Sequence, residues 1–510
     1  MASAARGSWA STRRSSRASR LLLGAFVLLA CAEKTAPPAP ARDRRQVVET
    51  HAELPSPRRP AFENAYAQIP PQCYVKTRRG DRVNNSCAVC HRASLEPNFV
   101  DDAELQLSYA LPPSAHRNPY TNLLAAVDRA VAEVDDGDVL AYVRRGNYRA
   151  PGETSPVAAG PPAARDGYVP DAHFRFDERG FDRDASGVAT GWRAFAYEPL
   201  PGGFGPELGS FGDVLIRLPP AFRTDRGGAY DEETYIVNLA VVEALIRRAD
   251  VAIDAVDERR HGVDLDGDGA LDIARRVHFR FDRSASDNLC FVGGAFAHCA
   301  TSKPAPGLYP LGTEFLHSLR YLDVTQEGVV PASRMKELRY AKKTRYLSYA
   351  ELRNEATHEA KERAESPDRP RRLLGDEMRG VANGQGWTYR AFIEDERGEL
   401  RTQSTEEHLS CVGCHGGVGV TTDSSFAFPR KIRGRAAGSG WVHQLAPERN
   451  ALPGAPTLPS KERALALDKL YWSIVKAQSF AKGRGPVTTT PDELWAEVPV
   501  GELTGVAVRE

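Results

Sequence analysis

The sequence predicts an α+β fold, with a helical region at each end of a loop-rich, mixed central unit. Three observations lead to this prediction. The pentapeptide C-x-x-C-H occurs once near each end of the 510-residue chain. Stretches with helical periodicity accompany both copies. Between them, residues 151–330 are rich in Gly and Pro and contain short β-branched and aromatic runs, which are typical of strands and turns.

Residues 1–31 have the features of an export signal and are predicted to be a lipoprotein signal peptide. A basic segment precedes the apolar residues 21–30, which are too few to span a bilayer. The segment ends in Leu28-Leu29-Ala30-Cys31, which resembles the lipobox of bacterial lipoproteins. This resemblance implies that Cys31 carries a lipid and that the chain is held at a membrane. Ala32, rather than Asp, favours the outer membrane over the inner one.

The remaining chain divides by composition into four predicted parts. Residues 32–60, rich in Pro and Ala, are predicted to be a flexible linker. The first motif region is residues 61–150, the central β-containing region is residues 151–330, and the second motif region is residues 331–510. Helices are predicted over residues 120–134, 138–145, 231–248 and 334–364 and from Ser460 to about residue 482, and strands over residues 213–218 and 276–282.

Both pentapeptides have the spacing required for covalent attachment of haem c. Two thiols three residues apart can each add to one vinyl group of the porphyrin, and the following His offers a nitrogen to the iron. The attachment residues are therefore Cys87 and Cys90 with His91, and Cys411 and Cys414 with His415. The alternatives are chance occurrence and a pair of zinc sites, although zinc would not need a His after each pair.

The distal ligands of the two irons are left open by the sequence. Methionine caps the iron in small soluble cytochromes c, but here the Met residues beyond Met1 are Met335 and Met378. We therefore expect His116 at the first haem, and a low-potential, six-coordinate iron there. Candidates at the second haem are His317, His443, Met378 and Met335.

An acidic loop in the central region resembles the calcium-binding loops of EF-hand proteins. Asp264, Asp266, Asp268 and Asp272 occupy its positions 1, 3, 5 and 9, and Gly269 occupies position 6. Position 12 is Arg275 instead of Glu, so this loop departs from the pattern. The sequence predicts one structural Ca²⁺ site, with a plain turn between two strands as the alternative.

The two motifs and the export signal together resemble the di-haem c-type cytochromes in their membrane-anchored lipoprotein form. This resemblance implies two haem c groups, redox partner proteins and electron transfer at the periplasmic face of the bacterial envelope. The alternatives are a di-haem peroxidase- or oxygenase-like enzyme with one open haem, and a sensor of redox state or of a small gas. Lys plus Arg and Asp plus Glu both number 67, so no net charge favours nucleic acid as a partner.

Three cysteines remain outside the motifs and the export signal. They are Cys73, Cys290 and Cys299, of which the last two are the nearest pair in sequence. Export would permit a disulfide, but the sequence alone does not determine the pairing.

Overall fold

The computed structural model describes residues 76–79, 82–85, 95–98, 134–149, 168–199 and 497–499 and, with short gaps, residues 205–476. The chain divides into Met1–Ser56 and Pro57–Glu510, and all described residues belong to the second unit. The largest element of that unit is a nine-stranded sheet in which all paired strands are antiparallel.

The described residues form strands in three sheets. In chain order the strands are β1 (Lys76–Arg79), β2 (Arg82–Asn85), β3 (Phe181–Arg183), β4 (Ala189–Phe195), β5 (Val214–Arg217), β6 (Val251–Asp257), β7 (Ile273–Val277), β8 (Glu314–Val324), β9 (Val329–Lys343), β10 (Leu374–Asp376), β11 (Gly380–Ala382), β12 (Trp387–Glu394), β13 (Leu400–Thr402) and β14 (Glu497–Pro499). The nine-stranded sheet has the order β10-β11-β12-β9-β8-β5-β4-β3, and β13 pairs with β12. The smaller sheets are β14-β1-β2 and β6-β7.

Helices are fewer and surround the large sheet. Those among the described residues are α1 (Asp136–Arg144), α2 (Glu232–Arg247), α3 (Glu258–His261), α4 (Phe296–Thr301), α5 (Tyr349–Glu365), α6 (Thr405–His415) and α7 (Lys461–Lys476). The predicted helices at 138–145, 231–248 and from Ser460 are confirmed as α1, α2 and α7, and the end of the last prediction, beyond Lys476, lies outside the described residues. The predicted strand at 213–218 is confirmed as β5, and the predicted helix at 120–134 lies outside the described residues.

In helix α2, the local sequence signals for a helix coincide with the burial of its apolar side chains in the core. The Asp231 side chain accepts a hydrogen bond from the Thr234 N–H at 3.0 Å, which caps the first turn. Arg248 ends the helix in the left-handed conformation, with φ 54°. The apolar interior of α2 is buried in the main core, which also contains Phe315 and Trp387. Burying each large side chain contributes about 1.5–3 kcal/mol, so this helix is a principal part of the core.

The predicted α+β fold with helical regions at both ends is wrong. The chain is mainly a large antiparallel sheet with few helices, and that sheet runs through residues 331–402 as β9 to β13. Residues 329–343, expected to be largely helical, form the longest strand. Helix α5 accounts for the second half of the predicted helix at 334–364.

Charged residues in β9 explain this error. Arg334, Lys336 and Lys343 resemble the polar face of a surface helix, yet all three are buried. Each pairs with an acidic group that is distant in sequence: Glu394, Asp468 and Asp423, respectively. Sequence periodicity gives no sign of such partners. The charges therefore predicted exposed side chains, whereas these side chains are buried in the fold.

Candidate functional site

The second C-x-x-C-H motif forms the last turn of helix α6. Ser404 and Glu407 make a reciprocal capping box at the start of the helix, which fixes where it begins. Cys411 and Cys414 are half-buried thiols that are not joined in a disulfide. Because residues three apart are neighbours on a helix surface, both thiols lie on one side of α6. That side lines a cavity between the helix and the large sheet.

The register of the sheet determines the opposite wall of the cavity. His317 on β8 lies opposite Val214 on β5 and Arg339 on β9, and Arg339 lies opposite Ala391 on β12. Directly paired residues point to the same face of a sheet, so these four side chains form one row. A second row, two residues away on the same face, contains Phe315, Ala341 and Tyr389. Both rows line the cavity.

The cavity has a volume of about 220 Å³ and a mainly apolar lining. Residues 425–427, which follow the motif in the chain, also line it. The chemically reactive groups at its wall are the two thiols of the motif and the imidazoles of His317, His408 and His415. An apolar cavity with few, convergent polar groups is the usual form of a cofactor site.

The His415 ring is oriented by a hydrogen bond from Nδ1 to the Ser424 carbonyl, at 2.7 Å. With Nδ1–H as the donor, the lone pair on Nε2 is available to a metal. Within the described part of the chain, Nε2 has no hydrogen-bond partner. Burial lowers the pKa of His415 to about 4, with the Ser424 bond opposing this shift and Arg339 adding to it. The ring is therefore neutral near pH 7, which is the form that binds metals.

A strained turn holds the Ser424 carbonyl in place. Asp423 and Ser424 have positive φ angles of 48° and 57°. The Asp423 carboxylate pairs with the buried Lys343 ammonium and accepts the Tyr309 N–H at 2.8 Å. The Ser424 carbonyl also accepts the Tyr389 hydroxyl at 3.0 Å. These contacts offset the cost of the turn, which is of order 1–3 kcal/mol per strained residue.

His317 and His408 line the same cavity but differ in their contacts. The His408 ring bonds the Ser404 carbonyl through Nδ1 at 2.8 Å and accepts the Ala391 N–H at Nε2, so both nitrogens are used. The His317 ring packs against Tyr197 at 5.7 Å and makes no hydrogen bond to any described residue. Burial lowers the pKa of His317 to about 3, and the charges of Arg339 and His415 add to this shift.

The other predicted distal ligands of the second haem lie away from the cavity. The backbone N–H of Met378 donates to Asp376 in the turn between β10 and β11. His443 stacks on Phe176 at 5.1 Å. Met335 is buried in a separate core cluster. None of the three is among the residues that line the cavity.

Several predicted residues lie outside the part of the chain that the structure describes. They are Cys31, Cys73, Cys87, Cys90, His91 and His116. The first motif, its expected distal ligand and the lipidation site therefore remain predictions from sequence.

The predicted calcium loop forms a compact acidic site with a different set of oxygens. Carboxylate oxygens of Asp264, Asp266 and Glu258 lie within 4.8 Å of one another, whereas Asp268 and Asp272 are outside this cluster. Gly269, at the predicted sharp turn, has φ 88°. Glu258 is fully buried and accepts the N–H groups of Leu265 at 2.5 Å and Asp272 at 3.1 Å. Sequence reasoning missed Glu258, because it precedes the loop and belongs to no motif.

Two further observations bear on the compartment. Cys290 and Cys299 form a disulfide with a Cα–Cα distance of 5.9 Å, and such bonds persist in oxidising environments. The helices that the structure describes include none with the length and apolar character needed to cross a bilayer.

Comparison with known proteins identifies a lipoprotein family and corrects the expected relationship. The chain is 33% identical to an uncharacterized lipoprotein of Aquifex aeolicus (strain VF5) over 397 residues, which are 75% of this chain. The matched region is 63% of the relative, so this chain spans less than two thirds of its length. No solved structure matches. The expected membership of the di-haem c-type cytochromes is wrong, because the matching family is a lipoprotein family and no cytochrome c family is found.

The match to this family covers most of the chain. Its model, described as “-like lipoprotein”, matches residues 58–451, which include the large sheet, α6 and the cavity. The chain therefore belongs to this family of envelope lipoproteins.

Proposed function

We propose that the lipoprotein binds haem c covalently through Cys411 and Cys414, with His415 as an iron ligand, and transfers electrons through it. The observation that carries this proposal is the meeting of three groups at one apolar cavity. The thiols of Cys411 and Cys414 and a neutral imidazole with an available Nε2 border the same space. These are the groups that attach haem c and hold its iron.

The arrangement of the donors favours haem over zinc. A zinc ion requires its ligand atoms to converge within a tetrahedron, with Zn–S bonds of about 2.3 Å. Among the described residues, ligand atoms of His, Cys, Asp or Glu converge in groups of three or more at Glu258, Asp264 and Asp266, and the second motif forms no such group. Thiols that are spread along one side of a cavity suit attachment to a large planar ring instead.

The side chains that line the cavity also suit a bound porphyrin. The apolar side chains of Val214, Phe315 and Ala341 would contact the porphyrin and exclude water. Arg339 also lies at this wall, where its guanidinium pairs with Glu337 at 2.7 Å. Haem bound here would supply a reversible change between ferrous and ferric iron, while the protein fixes its orientation and shields it.

A second haem at Cys87, Cys90 and His91, with His116 as its distal ligand, is proposed from the sequence motif alone. Two haems on one chain would give electrons a route through the protein to redox partner proteins. Electron transfer of this kind needs haems whose iron does not bind substrate.

An open haem would instead support a peroxidase- or oxygenase-like activity. Redox titration of the purified holoprotein, followed by absorption spectroscopy, separates the two functions. For an electron carrier we expect reversible oxidation and reduction, with no turnover of peroxide and no change of the spectrum on its addition. Rapid consumption of peroxide by the reduced protein would contradict electron transfer as the main function.

The lipid on Cys31 is proposed to anchor the protein at the periplasmic face of the outer membrane, since Ala32 is not a retention signal for the inner membrane. Separation of the two membranes tests this, and recovery of the mature protein with the inner membrane would contradict it.

A further inference from the structure

We propose that His317 is the second axial ligand of the iron bound by His415, which would make this haem six-coordinate. This inference rests on the proposed attachment of haem at Cys411 and Cys414. It adds the ligand that decides whether the iron can bind a substrate or only change its oxidation state.

The sheet places His317 on the wall that faces the motif. His317 lies on β8, at the centre of the row formed with Val214, Arg339 and Ala391. The His415 ring lies over Tyr389 on β12, with 5.2 Å between ring centroids. His317 and His415 border one cavity, from the sheet and from the motif helix respectively, so a group bound in that cavity would lie between the two imidazoles.

The two ring nitrogens of His317 make no hydrogen bond within the described part of the chain. A polar side chain in the interior of a protein is normally hydrogen-bonded. His408, in the same cavity, follows this rule with both of its ring nitrogens. The His317 nitrogens have no partner among the described residues, although the ring is held in the sheet and packs on Tyr197. A metal ion in the cavity would provide the missing partner.

His317 is also the candidate that remains after the other donors are placed. Met378 and His443 lie away from the cavity, as does Met335 in its separate core cluster. His408 has both nitrogens engaged. Ligation by two imidazoles would give a lower potential than His/Met ligation, because a Met ligand raises the potential of haem iron.

The spin state of the haem iron at the second motif tests the inference in the full-length protein. The variant C87A/C90A can carry haem only at the second motif, so its spectrum reports this site alone. We expect ferric low-spin absorption and electron paramagnetic resonance signals, and no binding of carbon monoxide by the reduced form. His317→Ala in this background should become high-spin, should bind carbon monoxide, and should return to low-spin on addition of imidazole. His443→Ala, which alters a histidine outside the cavity, should remain low-spin.

Failure of this inference and failure of the proposed function would give different results. A low-spin spectrum that persists in His317→Ala, or carbon monoxide binding by the C87A/C90A parent, would overturn the inference while leaving haem attachment intact. If His317→Ala does not fold, the more similar His317→Gln and the carbon monoxide test on the parent still decide. Absence of covalent haem from the C87A/C90A protein, judged by haem staining of a denaturing gel, would overturn the proposed function itself.

Discussion

At the scale of single residues, the orientation of His415 depends on an ion pair that is remote in sequence. Lys343 and Asp423 have side chains that are 1% and 2% exposed, and they hold the turn whose Ser424 carbonyl accepts His415 Nδ1. Burial lowers the pKa of Lys343 and raises that of Asp423, while their mutual attraction opposes both shifts. The motif residues could be predicted from their spacing. This support could not, because the pair joins positions 80 residues apart.

We therefore expect loss of the Lys343 charge to destabilise the folded protein. We expect Lys343→Met to lower the free energy of unfolding by about 3–5 kcal/mol, because Asp423 would remain buried without a cation. Urea unfolding followed by circular dichroism measures the change. Lys361→Met is the matched control: its exposed pair with Glu365 contributes about 0–1 kcal/mol.

The double variant Lys343→Met/Asp423→Asn should recover much of the loss, since no uncompensated charge remains and the amide oxygen can still accept the Tyr309 N–H. A loss below about 1 kcal/mol in Lys343→Met would show that the pair is not needed to hold the turn.

At the scale of elements, helices and strands were predictable where local pattern and environment agree. Helix α2 has an N-cap, an acidic first turn and an apolar interior, and its position was predicted within a residue or two. Strand β9 has the opposite character, because its charges are buried against acidic groups from other elements. The acidic loop is intermediate: its sharp turn at Gly269 was predicted, but its ligand set was not.

Calcium binding at this loop stays a prediction, and the geometry specifies which residues would bind the ion: Glu258, Asp264 and Asp266. We expect Ca²⁺ to raise the melting temperature, because a ligand at 100 times its Kd stabilises the native state by about 2.7 kcal/mol. Asp266→Asn should abolish the shift, since Asp266 belongs to the cluster with Glu258 and Asp264. Asp268→Asn, in the same loop but outside the cluster, should retain most of it. Scanning calorimetry with and without Ca²⁺ measures both variants.

A wild-type melting temperature that does not respond to millimolar Ca²⁺ would favour the plain turn. Equal responses of Asp266→Asn and Asp268→Asn would contradict the cluster as the binding site.

At the scale of the whole molecule, the large sheet is built from contacts that no local pattern indicates. Strand β5 pairs with β8, about a hundred residues later, and β9 pairs with β12 across helix α5. The sequence indicated a strand at β5 but gave no register, so it could not predict that His317 and Arg339 share a row with Val214. The cavity is a product of that register. The sequence indicated the motif side of the cavity and included His317 among several candidate ligands, but it did not indicate the wall on which His317 lies.

Membership of a lipoprotein family agrees with the export signal and leaves the chemistry of the cavity to experiment. The comparison overturned the expected cytochrome relationship, while the motif, the thiols and the His415 geometry support the proposed haem site independently of it.

The most direct test is the mass of the protein after expression together with the machinery that attaches haem c. For the full-length C87A/C90A variant we expect the mass of the chain plus one haem, located by peptide mapping on the segment that contains Cys411 and Cys414. The additional change C411A/C414A should remove this mass. A C87A/C90A protein whose Cys411 and Cys414 peptide is unmodified and reacts fully with a thiol reagent would contradict haem attachment at the cavity.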